Sequence, residues 1–346
     1  MARGRKDPGP RNVAVFFVMW YGEGQIGSDK KTNRNRGDSR KNQQMDTCIP
    51  KYLNAKDQGR LLETVRQSAR ILASCTLCPR QCGADRTREE MGVCSTGKKA
   101  VVASFSPHFG EEPQLVGVNG SGTLFFSHCN LKCIFCQNYE ISVQGQGQAA
   151  TAGQIASIML YLQRRNCHNI NLVTPSHVVP QILEAVEIAA AGGLTIPLVY
   201  NCSGYESLET LELLKDVIDI YLPDFKFWEP GISEMCCQAK DYPQIARKAI
   251  GKMYEQVGDL KVDKNGIACS GLLVRHLVLP ENRAGTYEIL KFLRENISSQ
   301  THVNIMSQYR PMGEAARITS LSRPVTPEEV RKARQMARDI GLNIVR

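Results

Sequence analysis

From Gly122 onward the 346-residue sequence alternates short apolar runs with longer segments of helical character, and this serial alternation limits the fold more than any other feature. The strand candidates are 123–127, 169–174, 197–201, 217–222, 272–279 and 303–306, and the helical segments between them are 152–165, 180–191, 208–215, 242–257 and 286–296. Six β/α units in series call for an α/β fold with a parallel sheet, either a partial barrel or an open doubly wound sheet. Near the end, Thr326-Pro-Glu-Glu329 offers an N-cap, a proline at the first helical position and a capping-box glutamate, with Gly341 as the stop, so a helix is expected over 327–340.

Directly after the first strand comes His128-Cys129-Asn-Leu-Lys-Cys133-Ile-Phe-Cys136-Gln-Asn138, three thiols within eight residues. A structural zinc site or a closed electron-transfer cluster wants four protein ligands. Three thiols from one loop leave a metal position open for a substrate or cofactor, unless Cys167, Cys202 or Cys269 closes the site from elsewhere in the chain.

Cys129-x3-Cys133-x2-Cys136, with Phe135 just before the last thiol and a β/α series around it, resembles the signature of the radical S-adenosylmethionine superfamily. Within that superfamily, Cys136-Gln-Asn138 and Val274-Arg275-His-Leu-Val-Leu-Pro280 resemble the pyruvate formate-lyase activating enzymes, above all their relatives with an extra N-terminal cysteine module. The resemblance runs from about residue 48 to the end. It implies a partial (β/α)6 TIM-like barrel and a 4Fe–4S cluster on Cys129, Cys133 and Cys136. The fourth iron would take the amino and carboxylate groups of S-adenosylmethionine. The implied reaction is one-electron cleavage of the sulfonium bond to a 5′-deoxyadenosyl radical, which abstracts a substrate hydrogen. Implied partners are an electron donor such as flavodoxin or ferredoxin and a glycyl radical enzyme. A small molecule or cofactor precursor as substrate, and a non-catalytic iron–sulfur protein, are the alternatives.

The chain departs from the resemblance at one place. The activating enzymes carry a Gly-Gly-Glu type segment after the second strand, where this sequence has Asn171-Leu-Val-Thr174-Pro-Ser176-His177, leaving Thr174, Ser176 or His177 for that contact. Parallel β/α folds gather their sites at the C-terminal ends of strands. By that rule the cofactor candidates are Thr174, His177, Asn201, Ser203 and Arg275, to which the resemblance adds Phe135 and Asn138, and the substrate-pocket candidates are Asp224, Lys226, Gln308 and Arg310.

A second set of thiols precedes the barrel. Cys75, Cys78, Cys82 and Cys94 stand at spacings of three, four and twelve, enough for a tetrahedral zinc or a closed iron–sulfur cluster of structural or electron-relaying role. Thirteen cysteines, an odd number with seven in two ligand-spaced clusters, argue for metal binding in a reducing cytoplasm over a disulfide framework.

The formal charge of +9 is unevenly spread: residues 1–45 hold ten Lys or Arg against four acids, which leaves the remainder nearly balanced and gives little support to nucleic-acid binding. That stretch is expected to be a disordered basic tail ahead of an alternative start at Met45, and its apolar run 13–21 is about half the roughly 20 residues a membrane helix needs. The expected organisation is thus a tail (1–45), a helix with a Cys-rich metal module (46–115), a radical core (116–310) and a helical extension (311–346).

Overall fold

The computed structural model of the chain describes residues 48–345; the expected tail and its apolar run lie outside them. Among the described residues ten strands form: β1 Ala100–His108, β2 Ser121–Phe126, β3 Gln148–Ala150, β4 Ile170–Val173, β5 Leu198–Cys202, β6 Ile220–Pro223, β7 Lys261–Val262, β8 Ala268–Leu277, β9 His302–Met306 and β10 Asn343–Ile344. Their order is β10-β9-β8-β6-β5-β4-β2-β1-β3, with β7 on β8. The six strands expected from sequence are β2, β4, β5, β6, β8 and β9, adjacent in chain order and all parallel. This is an α/β fold of the partial-barrel kind.

Strand alternation separates two apolar regions. Leu198, Tyr200 and Cys202 of β5 belong to the large core packed under the helices, whereas Val199 lies in a smaller cluster on the concave side with Ile220, Leu222, Leu273 and Leu115. The same parity turns Asn171, Asn201, Arg275 and Asn304 toward the concave side. The helices Ala152–Arg164, Val179–Ala191, Leu208–Leu214 and Tyr242–Val257 connect the strands, and Thr286–Phe292 continues into a π turn over Leu293–Ile297. The last helix, Pro327–Ile340, carries the expected capping box between Thr326 and Glu329 and stops at Gly341 with φ 82°. No helix among the described residues is long and apolar enough to cross a membrane.

The boundary expected between 115 and 116 is not a physical seam, because Asp46–Arg346 form one compact unit. β1 lies in the expected metal module yet pairs antiparallel with β2, and β3 pairs with its other edge. The helices Lys51–Asp57 and Arg60–Ile71 lie on the barrel flank, tied by Lys51 N–H to Asp219 at 2.8 Å and by the Tyr52 hydroxyl to the Ile196 carbonyl at 3.0 Å. Cys48 is joined to Cys269 as a disulfide, a use of cysteine the sequence reading did not anticipate.

Candidate metal and cofactor site

The chain leaves β2 at Phe126, at the end of the sheet where the parallel strands also finish. His128 and Lys132, each just ahead of a cysteine, adopt left-handed backbone at φ 71° and 51°, a region few residues other than glycine occupy. Those two reversals keep Cys129, Cys133 and Cys136 within electrostatic reach of one another. Donors surround the sulfurs: Leu131 N–H lies 3.3 Å from Cys129 Sγ and the Ser142 hydroxyl 3.1 Å from Cys136 Sγ, with Lys132 and Asn138 N–H on the same two sulfurs. Such donors favour the thiolate form that a metal requires.

Without a metal the same thiols hold their protons. Burial pushes Cys129 up to about 12 and raises Cys136, while a hydrogen bond with the Cys237 thiol, then burial, raises Cys133 well above the ordinary thiol value. Metal binding here displaces protons and is therefore pH-dependent. The donor set fits a cluster that takes one thiolate per iron.

Three contacts hold the loop in place. Ile134 N–H donates to the Cys236 carbonyl at 2.9 Å, at the end of helix Pro230–Cys237. Phe135 packs edge-on against Phe227 and Tyr309, with ring centroids 6.0 and 5.5 Å away. His177 is buried, and its Nε2 sits 2.8 Å from the Ser127 carbonyl. Burial pulls the His177 pKa down to about 3, so the ring is neutral and donates that bond. His177, expected from sequence as a cofactor contact, thus positions the strand end that leads into the thiols.

Polar groups from the ends of three strands, β5, β6 and β8, meet on the concave side. Arg275 donates to Asp224 at 2.8 Å and to Asn201 at 2.6 Å, and Lys226 pairs with the same Asp224. Burial works against the Asp224 charge, but Arg275 and Lys226 together hold its carboxyl below the usual range. Gly204 lets the loop after β5 cross tightly: its φ is 77°, and a Cβ there would stand 2.4 Å from the Asp224 carbonyl oxygen.

Thr174 ends β4 with φ 60°, an outlier for a β-branched residue, and its N–H bonds the Asn201 carbonyl at 2.9 Å. Ser203 accepts from Tyr205 N–H at 3.4 Å. Asn138, Gln308 and Arg310 are exposed, and the structure does not bring them into this network.

Sequence reasoning missed the acids that complete the network. Glu111 lies 3.5 Å from Arg275, and Glu112 accepts from Asn304 at 2.8 Å, both on the connection between β1 and β2. The available signal was Arg275 within the apolar run 272–279: a cation in a buried strand requires anionic partners, and Glu111-Glu112 ahead of an apolar stretch could have supplied them.

The other thiol set sits in irregular chain between Cys75 and Gly97, with one 3-10 turn, Arg86–Arg88. Cys75, Cys78 and Cys94 are buried and Cys82 is exposed at the rim. Arg80 stitches this region to the loop after β2, donating to the Asn130 carbonyl at 3.0 Å and the Cys237 carbonyl at 2.7 Å. Among the described residues, no three His, Cys, Asp or Glu side chains close on a single ion.

Compared with known proteins, the chain matches the Radical SAM superfamily over residues 123–293. It is 30% identical over 283 residues to the uncharacterized protein MJ0674 of Methanocaldococcus jannaschii, covering 80% of this chain and 77% of the relative. Among solved structures, Streptococcus suis SuiB bound to S-adenosylmethionine aligns with a TM-score of 0.44 and 14% identity. That alignment takes in 63% of this chain and 48% of SuiB, so the chain spans about half of that protein's length. Methylornithine synthase (PylB) aligns with a TM-score of 0.40 and 14% identity over 63% of this chain and 68% of that one. The chain belongs to the radical SAM superfamily.

Proposed function

We propose that this chain is a radical S-adenosylmethionine enzyme in which Cys129, Cys133 and Cys136 hold a 4Fe–4S cluster, leaving one iron for the amino and carboxylate groups of S-adenosylmethionine. The observation that carries this reading is three thiols within electrostatic reach of one another on a strand-end loop, with N–H and O–H donors on two of their sulfurs. Of the other thiols weighed as a fourth ligand, Cys269 is bonded to Cys48 and Cys167 precedes β4 at the opposite end of the sheet. When bound, the cluster supplies the one electron that splits the sulfonium bond into methionine and a 5′-deoxyadenosyl radical.

The chain's own residues have three tasks. The loop donors stabilise sulfur charge, the aromatic group of Phe135, Phe227 and Tyr309 keeps water from one flank, and Arg275, Asp224, Asn201 and Lys226 give the concave side fixed charges that need no rearrangement on binding. The finer reading is activation of a glycyl radical enzyme with an electron from flavodoxin or ferredoxin, supported by the segments 136–138 and 274–280; hydrogen abstraction from a small molecule is the alternative. Cys75, Cys78, Cys82 and Cys94 are read as a second metal site.

Anaerobically reconstituted protein, incubated with S-adenosylmethionine and dithionite, should release 5′-deoxyadenosine. The triple variant Cys129→Ala, Cys133→Ala, Cys136→Ala should release none, and cluster-loaded wild type that forms none would sink the proposal. An EPR doublet on a co-incubated glycyl radical enzyme decides for the partner-protein reading.

A further inference from the structure

Arg86 is a buried cation whose neighbours carry no compensating charge. It is 1% exposed. Its Nε donates to the Gly97 carbonyl at 2.9 Å, and its Nη1 to the His177 carbonyl at 2.7 Å and to Cys75 Sγ at 3.9 Å. Its Nη2 is fully enclosed and has no partner among the described residues. A guanidinium does not shed its proton, and an uncompensated buried charge is among the most unfavourable arrangements a protein interior can hold. The nearest group that could carry negative charge is the Cys75 sulfur against Nη1 of Arg86, and thiolates on a metal would place that charge beside the guanidinium.

Those thiols stand beside it. Cys75, which Arg86 touches, is 4% exposed, Cys78 is 8% and Cys94 is 6%. Cys78 lies within electrostatic reach of both of the others. Cys82 Sγ rests over Gly92, where a Cβ would meet it at 2.2 Å, so the rim thiol approaches closely only because that residue has no side chain. A tetrahedral zinc gathers its sulfurs about 2.3 Å from one point. No such closure exists among the described residues. A cluster gives each thiolate its own iron and accepts a wider spread.

We infer that Cys75, Cys78, Cys82 and Cys94 hold an iron–sulfur cluster and that Arg86 is its internal counter-charge, an inference that rests on reading this thiol set as a metal site. The site is wired to the loop after β2 at three points. Arg86 bonds the carbonyl of His177, whose ring bonds Ser127 next to the loop. Arg80, between Cys78 and Cys82, bonds Asn130. Lys132, the residue before Cys133, donates to the Ser95 hydroxyl at 3.1 Å, one residue past Cys94. The two thiol sets are thus joined through shared contacts.

The test uses the full chain carrying Cys129→Ala, Cys133→Ala and Cys136→Ala, reconstituted anaerobically with iron and sulfide and assayed for iron, acid-labile sulfide, zinc and EPR of the reduced protein. Iron and sulfide should be retained and a reducible centre seen. Adding Arg86→Gln should lose most of that iron and make what remains harder to reduce, and Arg86→Lys, which keeps the charge, should restore most of it. The melting-temperature gap between Arg86 and Arg86→Gln should be wider in loaded than in metal-free protein, which a purely packing role would not produce. If Arg86→Gln fails to fold by circular dichroism, Cys75→Ser in the same background carries the loading test. Zinc in place of iron overturns the cluster but leaves a second metal site standing; neither metal in a folded chain overturns both. Retained iron with unchanged loading and potential in Arg86→Gln overturns the counter-charge.

Discussion

The two thiol regions are held in place by opposite means. Cys129, Cys133 and Cys136 hang from β2, a strand bonded on one side to β1 and on the other to β4, so backbone hydrogen bonds fix the platform and the loop only has to turn. Cys75 to Cys94 have no strand beneath them. Their support comes from side chains: Arg80 and Arg86, and the Ser207 and Thr210 hydroxyls that both donate to the Leu77 carbonyl, at 3.3 and 2.7 Å. Sheet-borne support is redundant, since one lost side chain leaves the ladder intact, whereas side-chain support is concentrated in a few residues. The loop should thus tolerate change at positions other than its ligands and the anchoring Phe135, and the first region should be sensitive at its arginines.

The strongest way to break this contrast is Cys133→Ala. It should reduce 5′-deoxyadenosine release to background while changing the unfolding free energy of metal-free protein by no more than about 1 kcal/mol; a large loss of stability would mean the loop also supports the fold. Arg80→Ala should do the reverse in metal-free protein. It removes charge-assisted bonds to the Asn130 and Cys237 carbonyls and the stacking of its guanidinium 5.3 Å from the Tyr205 ring. Urea unfolding should show a loss of about 3 kcal/mol, and a loss near zero would say the region is held some other way.

A third measurement probes the ground between the regions. Glu206 is buried beside Cys78, bonded by the Ser176 and Tyr200 hydroxyls, and burial pushes its carboxyl up to about 7. Because the folded value is raised above the ordinary 4.5, the folded state binds the extra proton, and stability falls as pH rises between 4.5 and 7. Glu206→Gln should remove about 3 kcal/mol of that fall. Asp219, raised to about 7 by burial on the barrel flank, should supply the remaining slope and lose it in Asp219→Asn. An unchanged slope in Glu206→Gln would show that this carboxyl is ionised in the folded protein. The smallest effect belongs to Thr326→Ala, which removes the cap of the last helix and should cost about 1 kcal/mol with unchanged metal content. A change in metal content would show that the two thiol regions are not the only places coupled to binding.

The parallel half of the fold was legible because β2, β4, β5 and β6 are short apolar runs buried on both faces, with helical periods between the units. β1 was not legible: Val101, Ser104 and His108 are only partly buried, and Phe105 and Ser106 are exposed, so the strand shows neither a continuous apolar run nor clean alternation. The thiol loop could be read because ligand spacing is local. The charged network was harder to read, because Glu111 and Arg275 stand 164 residues apart and only the folded sheet brings them together. His177 shows the limit most clearly, since a histidine at a strand end reads as a ligand until the Ser127 carbonyl is seen against its ring.

β1 also has a consequence for what can be cut away. The superfamily span opens at residue 123, so a fragment trimmed to it would keep β2 and its three thiols but discard the strand that covers β2. A bare edge is a template for pairing with another chain. It would lie on the very strand that presents the cysteines, and Arg275 would at the same time lose Glu111. The segment ahead of the superfamily span is therefore a built-in edge cover, and a fragment without it should be prone to pair strand to strand with its own copies.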